Sequence, residues 1–215
     1  MRIAVSGTIG VGKSTLCEHL TSHTGYRLFS EPVKDNPYLT DFYEDPARWA
    51  FTAQVFLITH RFRKQMESVH TAVEQGFILD RCFHEDRVFA QVSRDLGFIA
   101  GRDWDTYLHL YESFCRIVPV PEVVIYLRID PKEALERVAL RGRVSEQSID
   151  LDYLQRLHDS YEQWAEDMSA RTQVLVFDWV AFGGARGWLD VAEALAKQDS
   201  PINVETVRTE GARCP

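Results

Sequence analysis

A glycine-rich run near the start of the chain is the feature that most restricts the fold. Residues 7–14 read GTIGVGKS, which fits the pattern G-x-x-x-x-G-K-[ST] at every specified position. An apolar segment precedes the run and a helical pattern follows it, which is the context that this motif requires. Glycines let successive backbone N–H groups point inward and bind phosphate, and the helix N-terminus adds a positive partial charge. The run therefore predicts a bound nucleoside triphosphate, with an empty glycine turn as the alternative.

The residues of this phosphate loop have separate expected roles. Lys13 would reach the β- and γ-phosphates, and the Ser14 hydroxyl would ligate Mg²⁺. The full set expected to bind the nucleotide is Gly7, Thr8, Ile9, Gly10, Val11, Gly12, Lys13, Ser14 and Thr15.

Short apolar segments alternate with helical patterns along the rest of the chain. Strand candidates lie at residues 2–6, 26–31, 77–80, 123–129 and 173–178. Such alternation predicts a parallel sheet covered on both faces, with the ligand beyond the carboxyl ends of the strands. We expect a three-layer α/β architecture of the P-loop kinase fold, with a five-stranded parallel sheet flanked by helices and an arginine-rich lid.

Helix signals divide the chain further. Long helices are expected at about 46–75, with an apolar stripe of Trp49, Ala53, Phe56, Leu57 and His60, and at about 151–168. Asp130-Pro131 is a good helix start and Arg141-Gly142 a good helix end. We expect one domain over residues 1–199 and a mobile tail over 200–215, which lacks a packed face.

Two carboxylates follow strand candidates and should lie beside the phosphate loop. Asp80 ends the FILD segment, where an acid commonly holds Mg²⁺ through water, and Glu31 would then be free to accept a proton from an attacking hydroxyl. The plain alternative for each is an exposed loop acid. No N-K-x-D run is present, which disfavours a GTPase switch.

Three arginines near the end of the Asp130 helix form another candidate group. Arg137 and Arg141 share a helix face, and Arg143 follows the glycine stop. Guanidinium groups match the charge that gathers during phosphoryl transfer, so a lid over about 137–148 could close on bound substrate. A solvated helix face is the alternative.

On these motifs the chain resembles the deoxynucleoside kinase family, most closely its bacterial deoxyadenosine/deoxycytidine kinases. The resemblance extends to about residue 180 and rests on GTIGVGKST, SEPVKDNPYL, FYEDPARWAFTAQVF, DRCFHEDRVFA and ERVALRGRVSEQSIDLDYLQRLHDSYEQW. It implies that Glu31 is the general base for a 5′-hydroxyl and that Arg81 orients the 5′ end beside the Mg²⁺-binding Asp80. It also implies that Tyr43 and Glu146 hold the 3′-hydroxyl, that Gln54 bonds the base edge, and that Arg137, Arg141 and Arg143 form the lid.

The resemblance also implies which residues form the base pocket. Gln54 and Arg61 are seven residues apart on the first long helix and share a face. In the family, residues matching Arg61 and Asp86 pair beside a purine or cytosine. Asp86 could accept from an exocyclic amino group, and the pair would crowd a thymine methyl. Phe89 would stack on the base. A buried structural ion pair is the alternative.

The sequence thus predicts ATP-dependent phosphorylation of the 5′-hydroxyl of a deoxynucleoside, with deoxyadenosine favoured over deoxycytidine and deoxyguanosine. Thymidine-type kinases and nucleoside monophosphate kinases remain alternatives, although the latter need basic groups facing the acceptor phosphate. A non-catalytic nucleotide-binding protein is a more distant alternative, which intact Glu31, Asp80 and lid arginines disfavour.

Bulk properties set the remaining expectations. A net charge of −8 argues against a nucleic-acid polymer as partner, and no apolar run approaches the length of a membrane span. Four cysteines without metal-ligand spacing, and a start without a charged leader, favour a cytoplasmic protein. Apolar stripes on the two long helices, together with the family resemblance, suggest a homodimer, with internal packing as the alternative.

Overall fold

A parallel sheet forms the centre of the molecule. The computed structural model describes residues 1–31, 36–71, 76–179, 187–196 and 205–207. Within them the sheet has the strand order β2-β3-β1-β4-β5-β6. The strands are β1 (Arg2–Gly7), β2 (Arg27–Phe29), β3 (Phe77–Asp80), β4 (Val123–Arg128), β5 (Gln173–Asp178) and β6 (Glu205–Val207).

Eight helices are found in the same part of the chain. They are α1 (Lys13–Thr24), α2 (Leu39–Glu44), α3 (Pro46–Thr71), α4 (Asp86–Asp95), α5 (Gly101–Cys115), α6 (Pro131–Arg141), α7 (Leu151–Ser169) and α8 (Gly187–Ala196). Short 3₁₀ turns at Phe83–Glu85 and Val144–Glu146 precede α4 and α7. None of the helices described combines the length and the apolar character needed to cross a bilayer.

The register of the central strands brings the predicted site residues to one edge. Val5 of β1 is paired with Asp80 of β3 on one side and with Ile125 of β4 on the other. Because all three strands are parallel, the phosphate loop after β1 and the carboxylate at the end of β3 emerge at the same edge.

Local sequence explains the boundaries of α6. The Asp130 side chain accepts from the backbone N–H of Lys132 at 2.8 Å and of Glu133 at 3.4 Å, and Pro131 occupies the first turn. Gly142 ends the helix with φ +66°, a conformation that favours glycine. The predicted start and end of this helix are confirmed.

The five predicted strands are confirmed, and the sheet also contains a sixth. β6 lies in the predicted tail and pairs in parallel with β5, with Leu175 opposite Glu205. Its formation does not need an apolar face, because β5 offers backbone donors and acceptors at its open edge. The rest of the predicted tail lies outside the described residues, as do residues 72–75 at the expected end of α3.

The buried face of α3 differs from the expected apolar stripe. Ala53 is buried as predicted, but Trp49, Phe56, Leu57 and His60 are only half-buried. The deeply buried residues of α3 also include Gln54, Ile58, Arg61, Gln65 and Ser68. A helix that buries so many polar side chains must satisfy them with partners inside the protein or with a ligand.

Candidate active site

A cleft of about 480 Å³ opens at the carboxyl edge of the sheet. The phosphate loop, the ends of β2 and β3, and helices α2 and α3 surround it, together with the turn that follows α6. It brings together most of the predicted site residues, namely Ile9, Gly10, Lys13, Ser14, Glu31, Tyr43, Gln54, Arg61, Asp80, Arg81, Phe89, Arg141, Arg143 and Glu146.

The phosphate loop has a shape that only glycine permits at two positions. Gly7 and Gly10 have φ values of +143° and +82°. A Cβ at Gly7 would lie 2.6 Å from the carbonyl oxygen of Leu127, and one at Gly10 would lie 2.9 Å from that of Ala134. The loop therefore packs its backbone against β4 and α6 without space for side chains, which fixes the direction of its N–H groups.

Lys13 lies at the inner end of this loop. Its Nζ donates a 2.7 Å hydrogen bond to the carbonyl of Thr8, and the side chain is buried. Burial, and then the nearby positive charge of Arg81, lower the pKa of Lys13 to about 7. An added anionic ligand would stabilise the charged ammonium, so this lysine is suited to a phosphate partner.

Ser14 and Asp80 form the candidate magnesium site. Ser14 Oγ donates a 2.6 Å hydrogen bond to Asp80 Oδ2. Asp80 Oδ1 is buried and has no hydrogen-bond partner in the described part of the chain. A hydroxyl beside an orphaned carboxylate oxygen suits Mg²⁺, which takes oxygen ligands and keeps waters or phosphates in its shell.

The described residues hold no cluster of three or more His, Cys, Asp or Glu side chains that could bind a metal. A magnesium ion at Ser14 and Asp80 would therefore share its remaining positions among a triphosphate and water, as a phosphoryl-transfer site requires.

Glu31 is held by two arginines. Arg81 Nε donates to Glu31 Oε2 at 2.6 Å, and Arg61 pairs with Glu31 Oε1, its Nε lying 3.1 Å away. Burial would raise the pKa of Glu31, but Arg81 and Arg61 outweigh it and lower the pKa to about 2. Glu31 is therefore an ionised, oriented acceptor beside the phosphate loop rather than an exposed loop acid.

Arg61 also carries the ion pair that the family resemblance implies. Its Nη1 contacts Asp86 Oδ1, while Tyr107 donates a 2.7 Å hydrogen bond to Asp86 Oδ2. Asp86 is fully buried and is not among the residues that line the cleft, so it lies behind Arg61. Its expected contact with a base amino group stays a prediction.

Two further predicted contacts of the base line the cleft. Gln54 is 2% exposed, and its Oε1 has no hydrogen-bond partner among the described residues. Phe89 lies beneath Arg81, whose guanidinium carbon is 4.8 Å from the ring centroid. An unsatisfied buried amide beside an aromatic ring is suited to the edge and face of a planar base.

The lid arginines are tied to a single carboxylate. Arg141 Nε and Arg143 Nη1 donate to Glu146 at 3.1 and 3.2 Å. Glu146 is buried, and the adjoining Ser148 hydroxyl donates to the backbone carbonyl of Tyr43 at 3.1 Å. Lid and α2 thus meet at the residues that were expected to hold a 3′-hydroxyl.

Arg137 differs in its placement from the other two arginines. It does not line the cleft. It donates instead to the backbone carbonyls of Val11 at 3.3 Å and Trp179 at 3.2 Å, and it pairs with Glu133. The structure thus places it against the outer side of the phosphate loop, and its expected part in catalysis stays a prediction.

Five of the predicted nucleotide ligands likewise contribute no surface to the cleft. These residues are Gly7, Thr8, Val11 and Gly12, which belong to the loop itself, and Thr15 stands beyond them in α1. Their expected contacts are those of the loop backbone and the helix N-terminus.

Sequence reasoning missed several tyrosines and one acid of the site. Tyr107 and Tyr161 are fully buried and bond to Asp86 and Glu85 respectively, and Tyr153 lines the cleft. The adjacent acids Glu85 and Asp86, close to the apolar Phe83, Val88 and Phe89, were the available signal, because buried acids need hydrogen-bond partners.

The chain is similar in sequence to a known family and to several known proteins. The family model described as deoxynucleoside kinase matches residues 3–182. A deoxyadenosine kinase of Dictyostelium discoideum is 36% identical over 180 residues, covering 84% of this chain and 73% of the relative. A deoxyadenosine/deoxycytidine kinase of Bacillus subtilis is 37% identical over 171 residues, covering 78% of each chain.

Solved structures give the same result for the fold. The structure of deoxyadenosine kinase from M. mycoides with bound dATP superposes with a TM-score of 0.81 at 30% identity. The match covers 92% of this chain and 100% of that one.

Proposed function

The chain belongs to the deoxynucleoside kinase family, and on that premise we propose that it transfers the γ-phosphoryl group of ATP to the 5′-hydroxyl of a deoxynucleoside. Deoxyadenosine is the preferred substrate, and deoxycytidine and deoxyguanosine are the next candidates. One observation carries the proposal: the oriented carboxylate of Glu31 and the phosphate-loop residues Lys13 and Ser14 line the same cleft. Donor and acceptor can therefore meet there.

The low pKa of Glu31 defines its part in the reaction. A carboxylate with a pKa of about 2 is a weak base, so it accepts the proton only when the hydroxyl has become strongly acidic. That occurs late, once the bond to the leaving ADP oxygen is largely broken and the bond from the 5′ oxygen to the γ-phosphorus is forming. The loose transition state of phosphoryl transfer is compatible with such timing.

Positive groups stabilise the charge of the transferring group. Lys13 would contact the β- and γ-phosphates, and Arg141 and Arg143 would turn from Glu146 toward them when the lid closes. Ser14 and Asp80 would hold Mg²⁺, which supplies further neutralisation of the phosphate oxygens.

The charges in the cleft favour a neutral acceptor over a nucleoside monophosphate. Each of the four arginines that line it is paired with a carboxylate: Arg61 and Arg81 with Glu31, and Arg141 and Arg143 with Glu146. An acceptor phosphate would have to compete with Glu31 for the buried Arg61 and Arg81, and with Glu146 for the more exposed Arg141 and Arg143, and Glu31 would repel it. A sugar hydroxyl carries no such penalty.

The preference for an amino-bearing base rests on the residues at the far end of the cleft. Gln54 offers both a donor and an acceptor, so it fits the edge of any of the bases. Arg61, backed by Asp86, would be the group that discriminates, because it lines the same cleft as Gln54 and its guanidinium would crowd a thymine methyl.

An ADP-release assay with all four deoxynucleosides tests the proposal. With ATP and Mg²⁺ present, we expect release to depend on the nucleoside and to be fastest with deoxyadenosine, with deoxyadenosine monophosphate inactive as acceptor. Faster release with the monophosphate would favour the alternative kinase class. Binding of ATP without release in any mixture would favour the non-catalytic alternative.

Two further properties belong to the proposal. Half-buried aromatic residues on α3, such as Trp49 and Phe56, support a homodimer, which light scattering after gel filtration can test. Cys17, Cys82 and Cys115 are free thiols, which supports the reducing environment of a cytoplasmic protein.

A further inference from the structure

One buried carboxylate beside the cleft has no role in the reaction as proposed. Glu85 is completely inaccessible to solvent and ends the 3₁₀ turn between β3 and α4. It does not line the cleft. A buried carboxylate is unfavourable unless hydrogen-bond donors compensate for its lost hydration. The donors that contact Glu85 therefore indicate its role.

Four donors converge on Glu85. Its Oε2 accepts from the backbone N–H of Gly7 at 3.4 Å and from the hydroxyl of Tyr161 at 3.0 Å. Its Oε1 accepts from the backbone N–H of Cys82 at 3.1 Å and lies 3.6 Å from Arg81 Nη1. The carboxylate thus joins the end of β1, the turn after β3, and α7.

Arg81 completes the connection from the other side. Its Nη1 donates to the carbonyl of Gly7 at 3.2 Å and to the hydroxyl of Tyr161 at 2.6 Å. Glu85 and Arg81 therefore take the two backbone polar groups of Gly7, the N–H and the carbonyl. Gly7 is the first residue of the phosphate loop, so the pair fixes where that loop begins.

The backbone of Arg81 is held in an unusual conformation. Its φ of +77° is the only positive value at a non-glycine residue in the part of the chain that the structure describes. Such a conformation is strained and persists where surrounding contacts determine it. The guanidinium of Arg81 makes those contacts with Glu31, Tyr161, Gly7 and Glu85. In this backbone conformation it lies across the end of β1.

We propose that Glu85 is a positioning residue that fixes the acceptor-side Arg81 relative to Gly7, and so sets the separation between the hydroxyl of the nucleoside and the phosphate loop. This inference rests on the proposed function, because it assigns Glu31 and Arg81 to the acceptor. Glu85 touches neither substrate. It acts through Arg81 and through the start of the loop.

Replacing Glu85 by glutamine puts a hydrogen-bond donor opposite groups that are themselves donors. The amide keeps the size of the side chain, but its NH₂ group must face a donor from Gly7, Cys82, Tyr161 or Arg81. We expect the Arg81 guanidinium to shift away from Gly7 and kcat to fall about 10- to 100-fold, which is the usual effect of a misplacement near 1 Å. Tyr161→Phe removes one link between Arg81 and Glu85 and should cost about 3- to 10-fold.

The experiment is a double-mutant cycle with a structural readout. We would measure kcat and both KM values for the wild type, Glu85→Gln, Tyr161→Phe and the double variant, well below their melting temperatures. Glu166→Gln, an exposed acid on α7, makes the same charge change as the control. In parallel, ¹⁵N NMR without substrates would follow the Gly7 amide and the Arg81 Nε–H.

The cycle supports the proposal if the double variant loses less than the product of the single losses, and if the Gly7 and Arg81 signals move in Glu85→Gln but not in the control. A folded Glu85→Gln with kcat within twofold of the wild type overturns it, as does a loss of kcat with both signals unchanged. If Glu85→Gln fails to fold, Tyr161→Phe must still move the Arg81 signal. A wild type that phosphorylates no nucleoside would refute the proposed function, while the NMR shifts would still report on the contact between Glu85, Arg81 and Gly7.

Discussion

Arg81 Nε donates a 2.6 Å hydrogen bond to Glu31 Oε2, which joins residues 50 positions apart at the acceptor end of the cleft. This contact and the Arg61 pair keep Glu31 ionised and fix the orientation of its carboxylate. On the proposed function, Glu31 would be a fixed proton acceptor whose value lies in its position more than in its basicity.

Glu31→Gln should therefore lower kcat by about 10²- to 10⁴-fold, the usual range for a lost general base. Affinity for ADP should change little, because the phosphate loop is intact. Glu112→Gln, an exposed acid on α5, provides the matched control and should retain wild-type rates. A kcat within tenfold of the wild type in folded Glu31→Gln would remove Glu31 from this role.

Lys13 predicts a proton uptake when nucleotide binds. With a pKa of about 7, most of Lys13 is neutral at pH 8 in the free protein. The negative phosphates stabilise the ammonium and raise its pKa, so binding of magnesium ADP at pH 8 should take up as much as about one proton. Protons are taken up rather than released because the pKa of Lys13 is low in the free protein. A lysine that is already charged would take up no proton.

Calorimetric titration in buffers of different ionisation enthalpy measures this uptake directly. Below about pH 6 it should vanish, because Lys13 is then charged before nucleotide arrives. Lys13→Met should abolish the uptake at pH 8 and weaken binding. Proton release, or an uptake that persists in Lys13→Met, would show that another group is responsible.

The C-terminal segment gives a test of stability. Within the described residues the main hydrophobic core extends to Leu195, and β6 pairs in parallel with the edge of β5. A chain that ends at residue 199 should therefore fold and keep its kcat, with a melting temperature within about 4 °C of the full chain, which corresponds to roughly 1 kcal/mol or less. A second chain that ends at Val207 separates the contribution of β6 from that of residues 208–215.

The melting temperature could instead fall by much more than 4 °C in the chain that ends at residue 199 and not in the chain that ends at Val207. That result would show that β6 stabilises the sheet by more than edge pairing. An equal loss in both chains would instead assign the effect to residues 208–215, against the expectation of a mobile tail.

Sequence reasoning identified the parts of the site that depend on local order. The phosphate loop, the acid at the end of β3 and the cap at Asp130 are each specified by residues that are adjacent or one turn apart. Arg61 and Asp86 were paired through the family resemblance, and the ion pair is present. For features whose residues are close in sequence, the motif alone is enough to predict the local structure.

Contacts between distant segments could not be obtained in this way. Tyr107 of α5 meets Asp86 of α4 across 21 positions of the chain, and Glu85 follows β3, which pairs in parallel with β1 and so lies near Gly7. Arg137 shares a helix face with Arg141, as spacing predicts, but the packing of α6 on the phosphate loop decides where each points. Spacing gives the face of a helix, whereas its neighbours are set by tertiary packing.

The base preference gives the last prediction. Arg61 faces the cleft while Asp86 stands behind it, so the two act as one unit whose outer surface is a guanidinium. Arg61→Met with Asp86→Ala removes both the bulk beside the base and the buried charge pair. The ratio of kcat/KM for thymidine to that for deoxyadenosine should rise by about 10-fold or more, the scale on which a pocket discriminates a methyl group.

The ratio is the correct measure because Arg61 also contacts Glu31. Its loss removes one of the two arginines that orient Glu31, so the absolute rates with every nucleoside should fall together, and that common loss cancels within one variant. Tyr107→Phe is the matched control, since it deletes the hydroxyl behind Asp86 but keeps the guanidinium at the cleft, and it should leave the ratio near its wild-type value. If the double variant ranks the four deoxynucleosides as the wild type does, the ion pair supports the fold of α3 against α4 and has no part in selecting the base.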